Sequence, residues 1–275
     1  MSNAIQTQKA NQWPAVRAII MKDIKGVTVN KRMMTALIIV PVMMTVVLPV
    51  VFLLTIVFVP EDSPDMAEMM TLLGSMPLNE GSSLREMLIN IILNYILPLF
   101  FLLIPIMASS VMASSSFVGE KEKKTLETLL YSPLALKDIF NAKISASFLL
   151  SMTVSILSFT AMIIVFETLL FILTGAFAMP NINWVIMMLL ASPAAALISI
   201  NLIVRGSAKS QSSEEAQQSS LFLVLPVILL ITGQFTGIMM LGAHVFLILG
   251  AVMALIALLM FRGKFGNYSY EKLLK

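Results

Sequence analysis

The sequence predicts an all-α polytopic membrane protein, and three observations carry that prediction. First, 58% of the 275 residues are hydrophobic and only 12% are charged, with a mean hydropathy of +0.93. A soluble domain carries about 25% charged residues. Second, several apolar runs reach the ~20 residues that cross a bilayer as a helix. Third, the basic residues fall on one side. With six spans and the N-terminus in the cytoplasm, 17 of the 18 Lys and Arg lie inside and only Arg85 lies outside. The positive-inside rule selects this orientation, with both termini cytoplasmic.

Composition also excludes functions. A net charge of +3 is too small to argue for nucleic acid. Without Cys there is no disulfide framework, thiol catalysis or Cys-ligated metal, and one His does not make a histidine metal site. The polar, basic start and the long first apolar run do not read as a cleavable signal peptide. No repeat of 20 to 50 residues is visible, so residues 1–275 read as one domain.

Along the chain, residues 13–31 carry Trp13, Val16, Ile20, Ile24 and Val27 at helical spacing, with Arg17, Lys22 and Lys25 between them. The spacing predicts an interfacial elbow helix, its apolar face among acyl chains and its basic residues at headgroups. The alternative is an ordinary basic flank to the first span. Span one is residues 33–59, with kinks expected at Pro41 and Pro49. The acidic segment after it carries Met66, Met69, Met70 and Leu73 at helical spacing. This apolar stripe rests on the outer surface or on other spans, or touches substrate.

Span two is residues 88–112, with Asn90 and Asn94 on one outer face and Pro98 and Pro105 able to bend it. Ser109 with Ala113 and Ser110 with Ser114 are small residues four apart, which let helices approach closely. Residues 144–180 hold one charge, Glu167. They read as span three over 144–166, followed by a separate short segment, 168–180, that dips back or lies at the outer face. Glu167 then marks the outer boundary and faces water or protein. Span four is 183–204, span five 221–238 and span six 243–261, the last two meeting near a Gly-rich turn that includes Gly233 and Gly237.

The cytoplasmic loop 117–143, between spans two and three, is the densest charged stretch between two long apolar runs. Leu126, Leu129 and Leu130 fall at i, i+3, i+4, which predicts a short amphipathic helix over Glu122 to Tyr131. Ser132-Pro133 stops it and starts a second helix, with Leu136, Ile139, Phe140 and Ile144 on one face. Two short helices at a bend make a surface that a soluble partner can grip. The chain has no GxxxxGK[ST], no HExxH and no buried Ser/His/Asp set. Its spans hold no carboxylate pair, so it reads as a transport subunit and not an enzyme.

At GEKEKKTLETLLYSP the chain resembles the permease subunit of type-2 ATP-binding-cassette (ABC) exporters. Those permeases carry E-K/R-E-x-G-T-L-E-x-L-L-x-x-P between spans two and three, followed by a short helix ending in Lys. Glu120, Lys121, Glu122, Thr125, Leu126, Glu127, Leu129, Leu130, Pro133 and Lys143 match that form. Lys124 replaces the usual Gly, and Ala135 stands where Ser is frequent. The resemblance implies that Glu120, Glu122, Thr125, Leu126, Glu127, Leu129, Leu130, Pro133 and Lys143 form a coupling helix gripped by a separate ATPase.

It further implies a complex of two ATPase copies with two permeases, a homodimer or this chain with a close relative, in the plasma membrane of a prokaryote. ATP and Mg belong to the ATPase, and this chain holds no cofactor of its own. The polar content of the spans is mostly Ser, Thr, Asn and Gln, beside abundant Met and Phe. That content suits a hydrophobic or amphipathic cargo among membrane lipids. The other readings are an ATP-independent secondary transporter or channel, a sodium efflux permease of the ABC class, and a membrane scaffold or immunity protein without transport. Inverted repeats or buried midplane charges would favour the secondary transporter, and neither is visible.

The topology is directly testable because the chain lacks Cys. Single cysteines replacing Ser63 or Ser82 are expected to react with an impermeant reagent in intact cells. Cysteines replacing Ser132 or Ser212 are expected to stay unreactive, and labelling at position 132 would reverse the orientation.

Overall fold

The computed structural model describes residues 13–60, 63–64, 83–125, 134–207, 209–235 and 242–262. Among them the regular structure is entirely helical, and six helices are long and apolar enough to cross a membrane. Helix α1 is Trp13–Val29, α2 Lys31–Phe58, α3 Leu84–Glu122, α4 Leu136–Thr174 and α5 Ile182–Gly206. A short α6, Ser213–Gln218, leads through a turn into α7, Leu221–Phe235, the two together making the fifth candidate span, and α8 is Ala243–Arg262. The Met-rich stripe of residues 66–73 and Gly237 lie outside the described residues.

Local chemistry places the helix ends. Asn30 separates α1 from α2 because its side chain accepts the Arg32 and Met33 N–H groups as an N-cap. Ser83 and Glu86 form a capping box at the start of α3. At the other end of α3, the Lys124 N–H bonds Lys121 O and the Thr125 N–H bonds Glu120 O, at 3.1 and 2.9 Å. Lys124 is left-handed with φ +55°, so the turn is a Schellman cap with lysine where glycine is preferred. The expected helix over Glu122 to Tyr131 therefore does not start at Glu122, because that residue ends α3. The remainder of that segment, Leu126 to Pro133, lies outside the described residues.

Two further expectations are corrected. The short helix containing Leu136 and Ile139 is not separate from span three, and neither is the part of the segment after Glu167 that runs to Thr174. All of it forms one helix of 39 residues, roughly 58 Å long at 1.5 Å per residue. It ends only where Gly175 turns left-handed at φ +71°. Nothing between Phe166 and Thr174 breaks a helix, so the chain keeps its backbone bonds instead of dipping back. Glu167 faces protein, its Oε2 accepting the Ala178 N–H at 3.2 Å.

The elbow face is the second correction. Val27 and Ile19 of α1 are buried, and Val16, Ile20 and Ile24 pack with them against α3 and the start of α4. The apolar stripe thus meets protein, not acyl chains. Trp13, Met21 and Val29 are exposed instead.

Helices α3 and α5 form the centre of the bundle, and the remaining spans expose most of their surface. Leu99, Leu102 and Ile106 of α3 pack on Met187, Ala191 and Ala195 of α5, with Val227, Ile231 and Phe246 behind them. The small stripes work as expected. Ala113, Ala191, Ala195 and Ser199 are fully buried, and Ser199 donates to Ile106 O at 3.1 Å. Gly250 brings α8 onto α5 so closely that a Cβ there would lie 2.9 Å from Leu190 Cδ2.

The prolines act through wide turns. Three π segments, Met43–Val47, Ile92–Ile96 and Met187–Ala191, each end two residues before a proline, Pro49, Pro98 and Pro193. A proline has no N–H for the preceding turn and its ring crowds that turn's carbonyl. Widening the turn relieves the clash without breaking the helix.

The strained cap generates a prediction. Lys124→Gly removes the Cβ penalty of a left-handed residue and is expected to stabilise the protein by about 1 kcal/mol. Thermal unfolding of the detergent-solubilised protein reads this as a higher midpoint; a lower midpoint would contradict the cap.

Candidate functional site

The antiparallel path of α3 and α4 brings both ends of the 123–135 segment to one end of the bundle. Glu120 lies in the last turn of α3, and Lys143 lies two turns into α4. Both are buried, and Lys143 Nζ stands 2.9 Å from Glu120 Oε2. That approach is one of charge without aligned hydrogen-bond geometry. The same ammonium donates to Ser116 O at 2.5 Å and lies 3.6 Å from Asp23 Oδ2 on α1. It also sits over the Phe117 ring, 5.6 Å from the centroid. Asp23, itself buried, accepts the Ser116 hydroxyl at 2.5 Å.

Lys22 completes the charge balance by donating to Glu120 Oε1 from the half-exposed edge of the cluster. Burial lowers its pKa, but the hydrogen bond it donates to Glu120 and the charges of Glu120 and Asp23 outweigh this and hold the ammonium above its usual value. Two carboxylates thus meet two ammonium groups. Three helices, α1, α3 and α4, are joined at a point that water barely reaches.

Glu122, two residues beyond Glu120 and so on the other side of the helix, engages a different element. Its Oε2 accepts the Ser213 N–H and hydroxyl at 3.2 and 3.1 Å, tying α3 to the start of α6. Gly119 faces the same serine, where a Cβ would lie in contact with Ser213 Oγ at 3.4 Å. An exposed ion pair, Arg32 with Glu214 at 3.0 Å, adds a contact from α2 to α6. Thr125 closes the α3 cap through its N–H, and its hydroxyl reaches Glu120 O at 3.4 Å.

Residues 17–259 match the family described as ABC-2 family transporter protein. The chain belongs to that family. No curated protein sequence and no solved structure matches it. The ABC-2 chain is therefore a multi-pass membrane permease component of an ABC transporter, and such a component works with an ABC ATPase.

Of the expected site residues in this permease, Glu120 and Lys143 meet in the buried cluster, while the exposed Glu122 and Thr125 make separate contacts at the end of α3. Leu126, Glu127, Leu129, Leu130 and Pro133 lie outside the described residues. Sequence reasoning missed Asp23 and Ser116. A signal was present for Asp23, the lone acid of α1, which falls four residues from both Ile19 and Val27 on the apolar face. An acid on an apolar stripe needs a buried cation, and Lys143 supplies it.

Removing that cation is expected to be costly. Lys143→Met leaves Asp23 and Glu120 buried with only Lys22 between them, a loss of roughly 3–5 kcal/mol. Lys22→Met, at the exposed edge, is expected to cost about 1 kcal/mol or less. Comparing the two unfolding midpoints checks the order, and equal effects would remove the cluster's asymmetry.

Proposed function

We propose that this ABC-2 permease forms the translocation pathway of an exporter and is driven by a separate ATPase that grips the 123–135 segment. The observation that supports coupling there is the burial of Glu120 and Lys143 in one ion cluster, at the two ends of the segment. A segment anchored only by solvent-exposed contacts would slide when pushed. One anchored by a desolvated ion pair passes force to α3, α4 and α1 together, because separating the charges without water costs several kcal/mol. In this reading Leu126, Leu129 and Leu130 dock on the ATPase. Glu127 fixes register there by charge, Pro133 sets the bend, and Glu120, Glu122, Thr125 and Lys143 hold the base.

The full assembly in this reading is two ATPases with two permeases, either two copies of this chain or this chain with a close relative. It sits in a prokaryotic plasma membrane with both permease termini in the cytoplasm. ATP and Mg bind the ATPase. The cargo is hydrophobic or amphipathic. The apolar spans favour it, and an inorganic-ion path normally carries carboxylates or charge rings.

Leu126→Asp and Glu127→Lys are expected to leave the permease inserted but to abolish co-purification of the ATPase and cargo-dependent turnover. A polar group forced into an apolar contact costs roughly 1–3 kcal/mol. Wild-type values in both assays would reject the docking role. In nanodiscs, amphiphiles are expected to stimulate ATP hydrolysis while sodium and potassium do not. Stimulation by sodium alone would replace this cargo with a cation.

A further inference from the structure

A second polar cluster lies at the end of the bundle opposite the 123–135 segment, and the coupling reading makes no use of it. Pro98 has no N–H to give to the carbonyls of Leu93 or Asn94, the positions a helical or π-helical bond from residue 98 would reach. Both carbonyls are bonded by α5 instead. Trp184 Nε1 donates to Leu93 O at 2.9 Å, and Asn183 Nδ2 donates to Asn94 O at 2.8 Å. The Asn94 side chain accepts the Asn181 N–H at 2.8 Å. Three bonds thus run from Asn181, Asn183 and Trp184 to Leu93 and Asn94.

Asn94, Asn183 and Trp184 are at most 3% exposed. The indole packs against Phe101 and Phe159 with centroids 5.5 and 5.2 Å away. One turn further out, exposed Asn90 accepts from Asn94 Nδ2 at 3.4 Å, so the cluster runs from a wet edge to a dry interior.

This arrangement has two satisfied states. Packed, the carbonyls freed by Pro98 bond side chains of α5, and one acceptor, Asn183 Oδ1, stays buried without a partner. Parted, water entering past Asn90 hydrates the same carbonyls and the orphaned oxygen as well. The switch is therefore cheap compared with exposing ordinary helix backbone to lipid. A proline within a wide turn also removes the backbone bond that would resist bending of α3 at this point.

We propose that Asn181 to Trp184 form a latch, in which Asn183 and Trp184 are positioning residues. They hold the outer half of α3 against α5 while the path is shut at this end and release it when the path opens there. The inference rests on the transport reading above.

The test uses the full permease–ATPase complex in nanodiscs, with Trp13→Phe so that Trp184 is the only tryptophan of the permease, and with any ATPase tryptophans replaced by Phe. Acrylamide quenching of Trp184 is expected to be weak without nucleotide and severalfold stronger in the ATP-trapped complex. Adding Asn183→Ala is expected to raise quenching in the nucleotide-free complex, shifting the latch toward open by roughly tenfold, the worth of one buried hydrogen bond. A merely structural role would lower the unfolding midpoint and leave the nucleotide dependence of quenching unchanged. Trp184 that stays equally shielded while the complex turns over ATP and exports cargo would overturn the latch alone. A complex with no ATP turnover would overturn the transport reading, and the latch with it.

Discussion

Lys143 carries a charge to a point where three helices meet and water does not reach, and that charge cannot stay there alone. Its partners decide how this end of the bundle is built. Glu120 requires α3 to continue past the hydrocarbon to its last turn, and Asp23 requires α1 to lie flat against α3 and α4. A buried ion cluster contributes little net stability over an apolar replacement, because desolvation consumes most of the Coulomb gain. Its value is in geometry, since few arrangements satisfy two carboxylates, two ammonium groups and the Ser116 hydroxyl and carbonyl at once. Apolar packing alone would let α1 slide along its neighbours.

Away from this cluster the bundle obeys the scarcity of water. Each backbone carbonyl within the membrane needs a donor from the protein. The prolines of the spans create the exceptions, and the π segments show how the chain meets them. Around Pro98 the remedy comes from another helix, through Trp184 and Asn183. Elsewhere hydroxyls help. Ser151 of α4 donates to Pro105 O, and Thr45 turns back to Pro41 O. Polar side chains in these spans thus largely bond backbone carbonyls, which lets Ser, Thr and Asn sit in so apolar a chain.

Much of this was legible in the sequence, and the failures have physical causes. Hydropathy revealed the all-α class and six candidate spans because nothing but a helix satisfies long apolar runs in lipid. The small-residue stripes of Ser109 with Ala113 and of Ser110 with Ser114 were readable from their spacing, and all four residues are buried. Helix ends were harder. Lys124 is a poor left-handed residue, so the stop after Glu122 carried no glycine to announce it. Lys143 and Glu120 were readable as parts of a motif, but their turn into the bundle was not. Burial of a charge depends on a partner more than 90 residues away in Asp23. The face of α1 was misassigned because apolar periodicity shows that a face is buried without showing whether protein or lipid buries it.

The two polar clusters sit on the same helix. Glu120 and Ser116 lie near one end of α3, while Leu93 and Asn94 lie near the other, about 39 Å away along a helix of 1.5 Å rise. Between them α3 is almost continuously buried, held by α4 on one side and by the small residues of α5 on the other. A helix so enclosed cannot bend in its middle, because its packed neighbours leave no volume for it. Movement imposed at the Glu120 end must therefore appear as rotation or sliding of the whole enclosed segment. It can leave that segment only where the helix is weak, at the wide turn before Pro98. The burial that makes α3 rigid is thus also what would deliver a displacement at one membrane face to the other.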